Sequence, residues 1–364
     1  QDDAGRILKA LSSTQAKTDM PYPKMAYIYP TYQCSLHCKN CIYKDHINCE
    51  KNGSLDLDLD LFKNILTDLS DLGVMNIELC GGGEPLEHSH IKEIIELVSE
   101  FRRNKRMDFG ILTNGQNISQ LDEKTIKLIL ECFAYIRLSF SEQASTDAKL
   151  RDEYFNNIVQ LLEYKKKNKK FKAIIGSKLL LTSKNKDELL ETVFKLLDLG
   201  AEHIKVKSIR SPEDEPSFED LILVEEELHS LKSRNSSKDV LKVDLGRTVF
   251  PDGFQCWVNS LSVTIDPYGR IYICYNFHND PENMIIGKYS KNNSLSDFWG
   301  KIEHIEKIRN INTKWVCESD TSCNCRYADY QKSLEQILLE SKFLQSKNNK
   351  NSFSSRSKRI SKFL

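Results

Sequence analysis

The stretch VMNIELCGGGEP at residues 74–85, followed by HIKEIIELVSEFRR at 90–103, decides how the chain is read. VMNIELC (74–80) is a short, mostly apolar run, the composition of a buried strand. The glycines after it break the run. HIKEIIELVSEFRR then spaces its apolar residues three and four apart, as an amphipathic helix does. A strand, a tight turn and a helix make one unit of a parallel βα repeat.

The same pair recurs on both sides. Upstream, MAYIYPT (25–31) reads as a strand and LDLFKNILTDLSDLG (59–73) as a helix with a glycine stop. Downstream, MDFGILT (107–113) pairs with KTIKLILECF (124–133), and YIRLSFS (135–141) with NNIVQLLEYKKK (156–167). KAIIGSKLLLT (172–182) pairs with DELLETVFKLLDLG (187–200), and HIKVKSI (203–209) with LVEEELHSLKS (223–233). Six units in series predict an α/β fold, a partial (β/α)6 TIM-like barrel over 25–245 behind an N-terminal segment 1–24. Past residue 245 the pattern changes. SLSVTIDPYGRIYICYN (260–276) reads as two β-runs around Asp266-Pro267-Tyr268-Gly269. SLSDFWGKIEHIEKIR (294–309) has helical spacing, and a cysteine-rich loop and a final helix to Phe343 follow. These predict a small α+β extension at 246–345, with a basic, disordered tail at 346–364.

Composition narrows the function. Lys+Arg and Asp+Glu both number 52 in 364 residues, so the basic surplus that captures nucleic acid is absent. No apolar run approaches the ~20 residues of a membrane span. The start, QDDAGRILKALSS, has no signal-peptide core, so a cytoplasmic location is expected. Eleven cysteines are many for a reducing compartment, and they cluster, which points to metal rather than disulfides. Cys34, Cys38 and Cys41 stand together early; Cys256, Cys274, Cys317, Cys323 and Cys325 stand late.

The early group lies in CSLHCKNC (34–41), in the loop after the first strand, where parallel α/β folds gather their chemistry. A zinc site needs a closed fourth ligand, here His37 or His46. A cubane [4Fe–4S] cluster used only for electron transfer takes four cysteines. Three thiolates leave one iron open for a substrate or cosubstrate.

This C-x3-C-x2-C spacing resembles the radical S-adenosylmethionine (SAM) family. The resemblance implies that Cys34, Cys38 and Cys41 bind a [4Fe–4S] cluster whose open iron is chelated by SAM. One electron then cleaves SAM, and the 5′-deoxyadenosyl radical abstracts hydrogen from substrate, with a flavodoxin- or ferredoxin-type protein as reductant. Further motifs fall in order at the strand ends. Gly81, Gly82, Gly83 and Glu84 of GGGEP resemble the segment that holds the methionine amino group, where glycine lets backbone approach a ligand. Thr113 and Asn114 of TNG resemble the stretch beside the sugar or methionine of SAM. Ser139 of RLSFS takes the place of a serine that contacts SAM; Ser141 stands where relatives carry Asp, leaving Glu142 to supply a carboxylate. Arg151 is positioned in sequence to pair with the methionine carboxylate. Asn40 replaces the usual aromatic before the third cysteine, so Ile42 or Tyr43 is left to cover adenine.

The late cysteines resemble a SPASM or twitch extension, which carries auxiliary [4Fe–4S] clusters. A full SPASM set needs roughly seven cysteines. The late group therefore implies one auxiliary cluster, with Cys256 and Cys274 as two ligands and two of Cys317, Cys323 and Cys325 as the others; zinc is the alternative there. On the substrate side, Lys178 interrupts an apolar run, and Lys205 and Lys207 share one strand face. If that face points inward, Lys178 and Lys207 suit an anionic or polyhydroxylated small molecule. Only 24 residues precede the first strand, fewer than the precursor-recognition domain of many peptide-modifying relatives. The expectation is therefore a sugar, aminocyclitol or nucleotide-sugar substrate that is dehydrogenated, epimerised or deoxygenated by an oxidoreductase- or isomerase-type enzyme. Peptide or protein modification is the alternative, and a non-catalytic iron–sulfur electron carrier is the reading from another class.

Overall fold

The computed structural model describes residues 3–49, 54–105, 107–209, 213–234, 239–245, 256, 258–311 and 336. After α1 (Asp3–Ser12), strand and helix alternate: β1 (Met25–Ile28), α2 (Leu59–Asp71), β2 (Asn76–Leu79), α3 (Ile91–Lys105), β3 (Asp108–Thr113) and α4 (Glu123–Cys132). Then come β4 (Phe133–Ser139), a short α5 (Glu142–Thr146), α6 (Ala148–Lys167), β5 (Ile174–Leu181), α7 (Lys186–Leu199), β6 (His203–Ser208), α8 (Phe218–Arg234) and β7 (Leu241–Asp244). Aspartates set the helix starts. Asp58, Asp122 and Asp147 each accept a backbone N–H from the first turn of α2, α4 and α6, which satisfies donors that a helix leaves open. Gly200 closes α7 at φ 86°, a left-handed conformation that glycine adopts without strain.

The last part comprises β8 (Ser262–Ile265), β9 (Arg270–Tyr272), α9 (Pro281–Met284), β10 (Ile285–Lys288) and α10 (Ile302–Asn310). All ten strands join one open sheet in the order β10-β9-β8-β1-β2-β3-β4-β5-β6-β7. Strands β1 to β7 run parallel. The expected hairpin is present, but β8 also pairs parallel with β1, Met25 opposite Ser262 through Ile28 opposite Ile265. The extension thus continues the sheet at the β1 side.

Three local expectations change. A seventh parallel strand, β7, follows α8. The helix of the fourth unit begins at Ala148 rather than 156, because Asp147 caps it there. The helix expected over 294–309 starts only at Ile302, since Gly300 turns left-handed at φ 73° after a 3-10 turn at Leu295–Asp297. The late cysteine loop (Cys317, Cys323, Cys325), all but residue 336 of the final helix and the basic tail lie outside the described residues. Among the described residues no helix is long and apolar enough to cross a membrane.

The sheet has two distinct faces. Ile111 and Ile136 meet Ile126 and Ile129 of α4 and Leu161 of α6 across an apolar cavity. Ser177 of β5 hydrogen-bonds the Tyr154 hydroxyl of α6. Alternate residues point the other way, onto an inner face that carries Tyr27, Glu78, Tyr135, Arg137, Ser139 and Lys178.

Candidate active site at the C-terminal rim of the sheet

The loop from β1 to α2 crosses the rim and holds Cys34, Cys38 and Cys41, all half-buried and none in a disulfide. Asn48 fixes its near end. Its side-chain oxygen accepts the Cys34 N–H at 3.2 Å, and its amide donates to the Cys34 carbonyl at 2.9 Å. Asn48 does this at φ 54°, a left-handed conformation that asparagine tolerates better than most residues. Ser35 is tied to Glu87 through both its N–H (3.0 Å) and its hydroxyl (2.7 Å). The Cys41 N–H turns back to the Cys38 carbonyl at 3.2 Å. Burial pushes the Cys34 thiol up to about 12, with Glu84, Glu87 and Cys38 adding to the shift.

The glycine motif packs against this loop. The Gly83 N–H donates to the Thr31 carbonyl (2.9 Å) and the Glu84 N–H to the Gln33 carbonyl (2.7 Å). A Cβ on Gly83 would lie 2.2 Å from the Gln33 carbonyl oxygen, and one on Gly82 would lie 2.2 Å from the Tyr32 ring. The close approach that requires glycine here is therefore to the cysteine loop itself.

Glu84 is buried to 3% exposure. One carboxylate oxygen accepts the Leu86 N–H at 3.0 Å and the Thr113 hydroxyl at 2.6 Å; the other accepts the Asn114 N–H at 2.5 Å. Burial pushes its carboxyl up to about 7 against these hydrogen bonds, which pull the other way. The TNG segment thus shapes the surroundings of Glu84: Thr113 also accepts the Gly115 N–H at 2.9 Å. The side-chain nitrogen of Asn114 is buried and has no hydrogen-bond partner. A buried donor left this way costs about 1–3 kcal/mol unless a ligand or water meets it.

The remaining candidates divide. Ser139 ends β4 on the inner face, in register with Lys178, which is in turn in register with Lys205. Glu142 opens α5. Arg151 turns to α7, donating to Glu188 (3.0 Å) and the Ser145 carbonyl (3.2 Å). Lys207 is buried beside Asp244, 3.3 Å away. Asn40 donates to Asp214 at 2.9 Å.

That last contact belongs to a clamp that the sequence does not announce. Asp214, in the loop after β6, also accepts Lys39 at 2.9 Å and Lys184, from the loop after β5, at 3.0 Å. These donors hold its carboxyl well below the usual range. Asp214 thereby ties the cysteine loop to the far strands, and only chain folding brings the three segments together.

On the other side, Tyr43, two residues after Cys41, shares a 2.7 Å hydrogen bond with the Tyr29 hydroxyl and reaches the Tyr275 carbonyl at 2.9 Å. Tyr275 follows Cys274, whose sulfur accepts the Asn276 N–H at 3.3 Å. Cys256 is buried. Both amide atoms of Asn276, which is 1% exposed, lack hydrogen-bond partners.

Among the described residues no three ligating side chains converge on a single-ion site. A cubane does not ask for that, because each thiolate binds a different iron. Three thiols on one pinned loop, a buried carboxylate beside them and an unpartnered amide donor at Asn114 fit a cluster carrying an amino-acid cosubstrate.

Residues 28–204 match the radical SAM superfamily. Over 322 residues the chain is 23% identical to the PqqA peptide cyclase of Bradyrhizobium diazoefficiens, covering 82% of this chain and 78% of that protein. Streptococcus suis SuiB bound to S-adenosylmethionine superposes with a TM-score of 0.59 at 17% identity, over 86% of this chain and 75% of that one. A second SuiB structure, bound to its precursor peptide SuiA, gives the same score and identity over 86% of this chain and 74% of that one. Native anSMEcpe with bound AdoMet gives 0.57 at 12% identity, over 90% of this chain and 100% of that one. At these identities the superpositions establish the fold.

Proposed function

From a chain that carries a radical SAM domain, with the [4Fe–4S] cluster and SAM that such a domain uses, we propose an enzyme that takes a hydrogen atom from a residue of a peptide or protein. The observation that carries the radical chemistry is the Cys34–Cys41 loop bonded along Thr31 and Gln33 to the buried Glu84. The peptide reading is supported by the names of the relatives, a PqqA peptide cyclase and SuiB bound to precursor peptide SuiA.

Those relatives overturn the expected sugar-like substrate and small-molecule partner. The physical reason is plain: the lysines behind that expectation offer point charges, which suit the carboxylates of a peptide as well as a phosphate. The short stretch before β1 was likewise no guide to substrate.

In this reading Cys34, Cys38 and Cys41 hold the cluster, which when bound supplies the electron that cleaves SAM. The second oxygen of Glu84 keeps a lone pair for the methionine ammonium, and the Asn114 amide donates to the same ligand. Ser139 faces the same space. Asn40, committed to Asp214, holds the loop closed, and Tyr43 with Tyr29 walls off water. Cys256 and Cys274, with two of Cys317, Cys323 and Cys325, hold one auxiliary cluster in the extension. An oxidised, crosslinked or epimerised residue is the product class.

The test is anaerobic reconstitution, reduction by dithionite, and assay of 5′-deoxyadenosine with deuterated peptide pools or with UDP-glucose as substrate. Deuterium transferred from peptide and not from sugar supports the reading. Transfer from sugar alone overturns it. Glu84 adds a pH signature. Its carboxyl ionises near 7, and an ammonium needs the ionised form. SAM affinity should therefore rise about tenfold from pH 6 to 8, and Glu84→Gln should bind weakly with no such rise. An equal affinity at both pH values in the parent protein would remove Glu84 from the SAM site.

A further inference from the structure

The cysteine loop is held from two sides. Toward β1 and β2, Asn48 fixes Cys34 and Glu87 fixes Ser35, while the Gly83 and Glu84 N–H groups bond to Thr31 and Gln33 just ahead of the loop. Lys39 and Asn40, which lie between the second and third cysteines, turn the other way. Both donate to one oxygen of Asp214, at 2.9 Å each. Strands β1 and β6 stand five strand spacings apart, roughly 24 Å along a flat sheet. Strand β1 pairs with β2 and β8, and β6 with β5 and β7, so ladder hydrogen bonds do not join the two sides. The Asp214 carboxylate does.

Asp214 is itself fixed. Its backbone carbonyl accepts the Ser183 N–H at 2.8 Å, and its second carboxylate oxygen accepts Lys184 at 3.0 Å. The Asp214 side chain is 4% exposed, whereas that of Lys184 is 73% exposed. Glu213, also exposed, accepts Lys39 at 3.0 Å. The buried carboxylate with its charge-assisted hydrogen bonds is thus the stiff member of the group, and the solvated charges around it contribute less.

We propose that Asp214 is a positioning residue: through Lys39 and Asn40 it sets where Cys38 and Cys41 stand, and so the seat offered to the cluster and SAM. The Cys41 N–H turns back to the Cys38 carbonyl, so a shift of the backbone between them moves both thiols. A misplacement of about 1 Å can cost about a hundredfold in rate. The inference rests on the cysteine loop as the cluster site and is independent of the kind of substrate.

The test compares the reconstituted full chain, reduced by dithionite, with Asp214→Asn, Lys184→Gln and Glu213→Gln. Asp214→Asn keeps the shape of the side chain and removes its charge. The change that SAM induces in the EPR spectrum should be a single species in the parent and broadened in this variant. SAM should bind about tenfold more weakly, and 5′-deoxyadenosine should form about tenfold more slowly. Lys184→Gln removes a solvated arm and should cost about threefold in each. Glu213→Gln should match the parent. Lys39→Met added to Asp214→Asn should cost little more, since both cut the same link. Iron content and melting curves separate positioning from loss of fold. Loss of the first cluster alone, with melting unchanged, is the same effect at full strength. Should Asp214→Asn fail to fold, Lys184→Gln decides, and parent-like behaviour there overturns the inference. A parent-like spectrum and SAM affinity in Asp214→Asn overturn it directly. A parent spectrum that SAM does not change overturns the cluster assignment beneath it.

Discussion

Replacing Cys38 with alanine should abolish 5′-deoxyadenosine formation, to the level of an enzyme-free control. Cys38 sits between Cys34, close enough to shift its thiol, and Cys41, whose N–H returns to the Cys38 carbonyl. Two remaining thiolates cannot hold a cubane that already lacks a fourth protein ligand. Iron per chain should fall by about four, the auxiliary cluster proposed for the late cysteines being retained. The fold should survive. Cys38 is half-buried on a loop pinned independently by Asn48 and Glu87, so the protein without iron should lose no more than about 1 kcal/mol. Cleavage retained by the variant would remove the loop from the chemistry.

The second large effect is on stability. Asp266, at the β8–β9 turn, is fully buried. It accepts the Arg270 guanidinium at 2.6 Å, the Arg270 and Tyr268 N–H groups at 2.9 and 3.0 Å, and the Tyr32 hydroxyl at 3.3 Å. Burial raises its carboxyl, and Arg270 opposes the rise. Asp266→Ala leaves the half-buried Arg270 without its counter-charge, a loss of about 3–5 kcal/mol by the measure of other broken buried pairs. Asp266→Asn keeps much of the shape and should cost about 1–3 kcal/mol. Urea unfolding of the three proteins checks this. A loss under about 1 kcal/mol for the alanine variant would mean that Arg270 and Tyr32 find other partners. Since Tyr32 lies two residues before Cys34, the alanine variant should also load iron poorly at the first site.

The βα core was legible because its signals are local: apolar period two in strands, three to four in helices, and aspartate or glycine at the ends. The candidate site was legible for the same reason. Its cysteines, glycines and TNG each follow their own strand, and a parallel sheet puts successive strand ends on one rim. What escaped depends on distance along the chain. Asp214 sits in an ordinary acidic loop sequence, and only the curvature of the sheet brings Lys39, Asn40 and Lys184 to it. Asn48 looks like any polar loop residue until its backbone turns left-handed. GGG was correctly a place of close approach, but the approaching group is Tyr32–Gln33. The alternation of β6 placed Lys205 and Lys207 on one sheet face, and register sets Lys178 beside Lys205, whereas the kind of substrate was not in the pattern.

The parallel pairing of β1 with β8 has a consequence for how the chain can be made and cut. Strand β1 leaves the ribosome early, yet one of its two hydrogen-bonding flanks is filled only by residues 262–265, more than two hundred residues later. Until then Met25–Ile28 is a raw sheet margin, open to any other extended chain. Contacts this remote in sequence slow folding, and a fragment ending near residue 245, though it would contain every βα unit, would keep that margin for good. The cysteine loop springs from the same strand, so it acquires its final setting only when the last third of the protein has arrived.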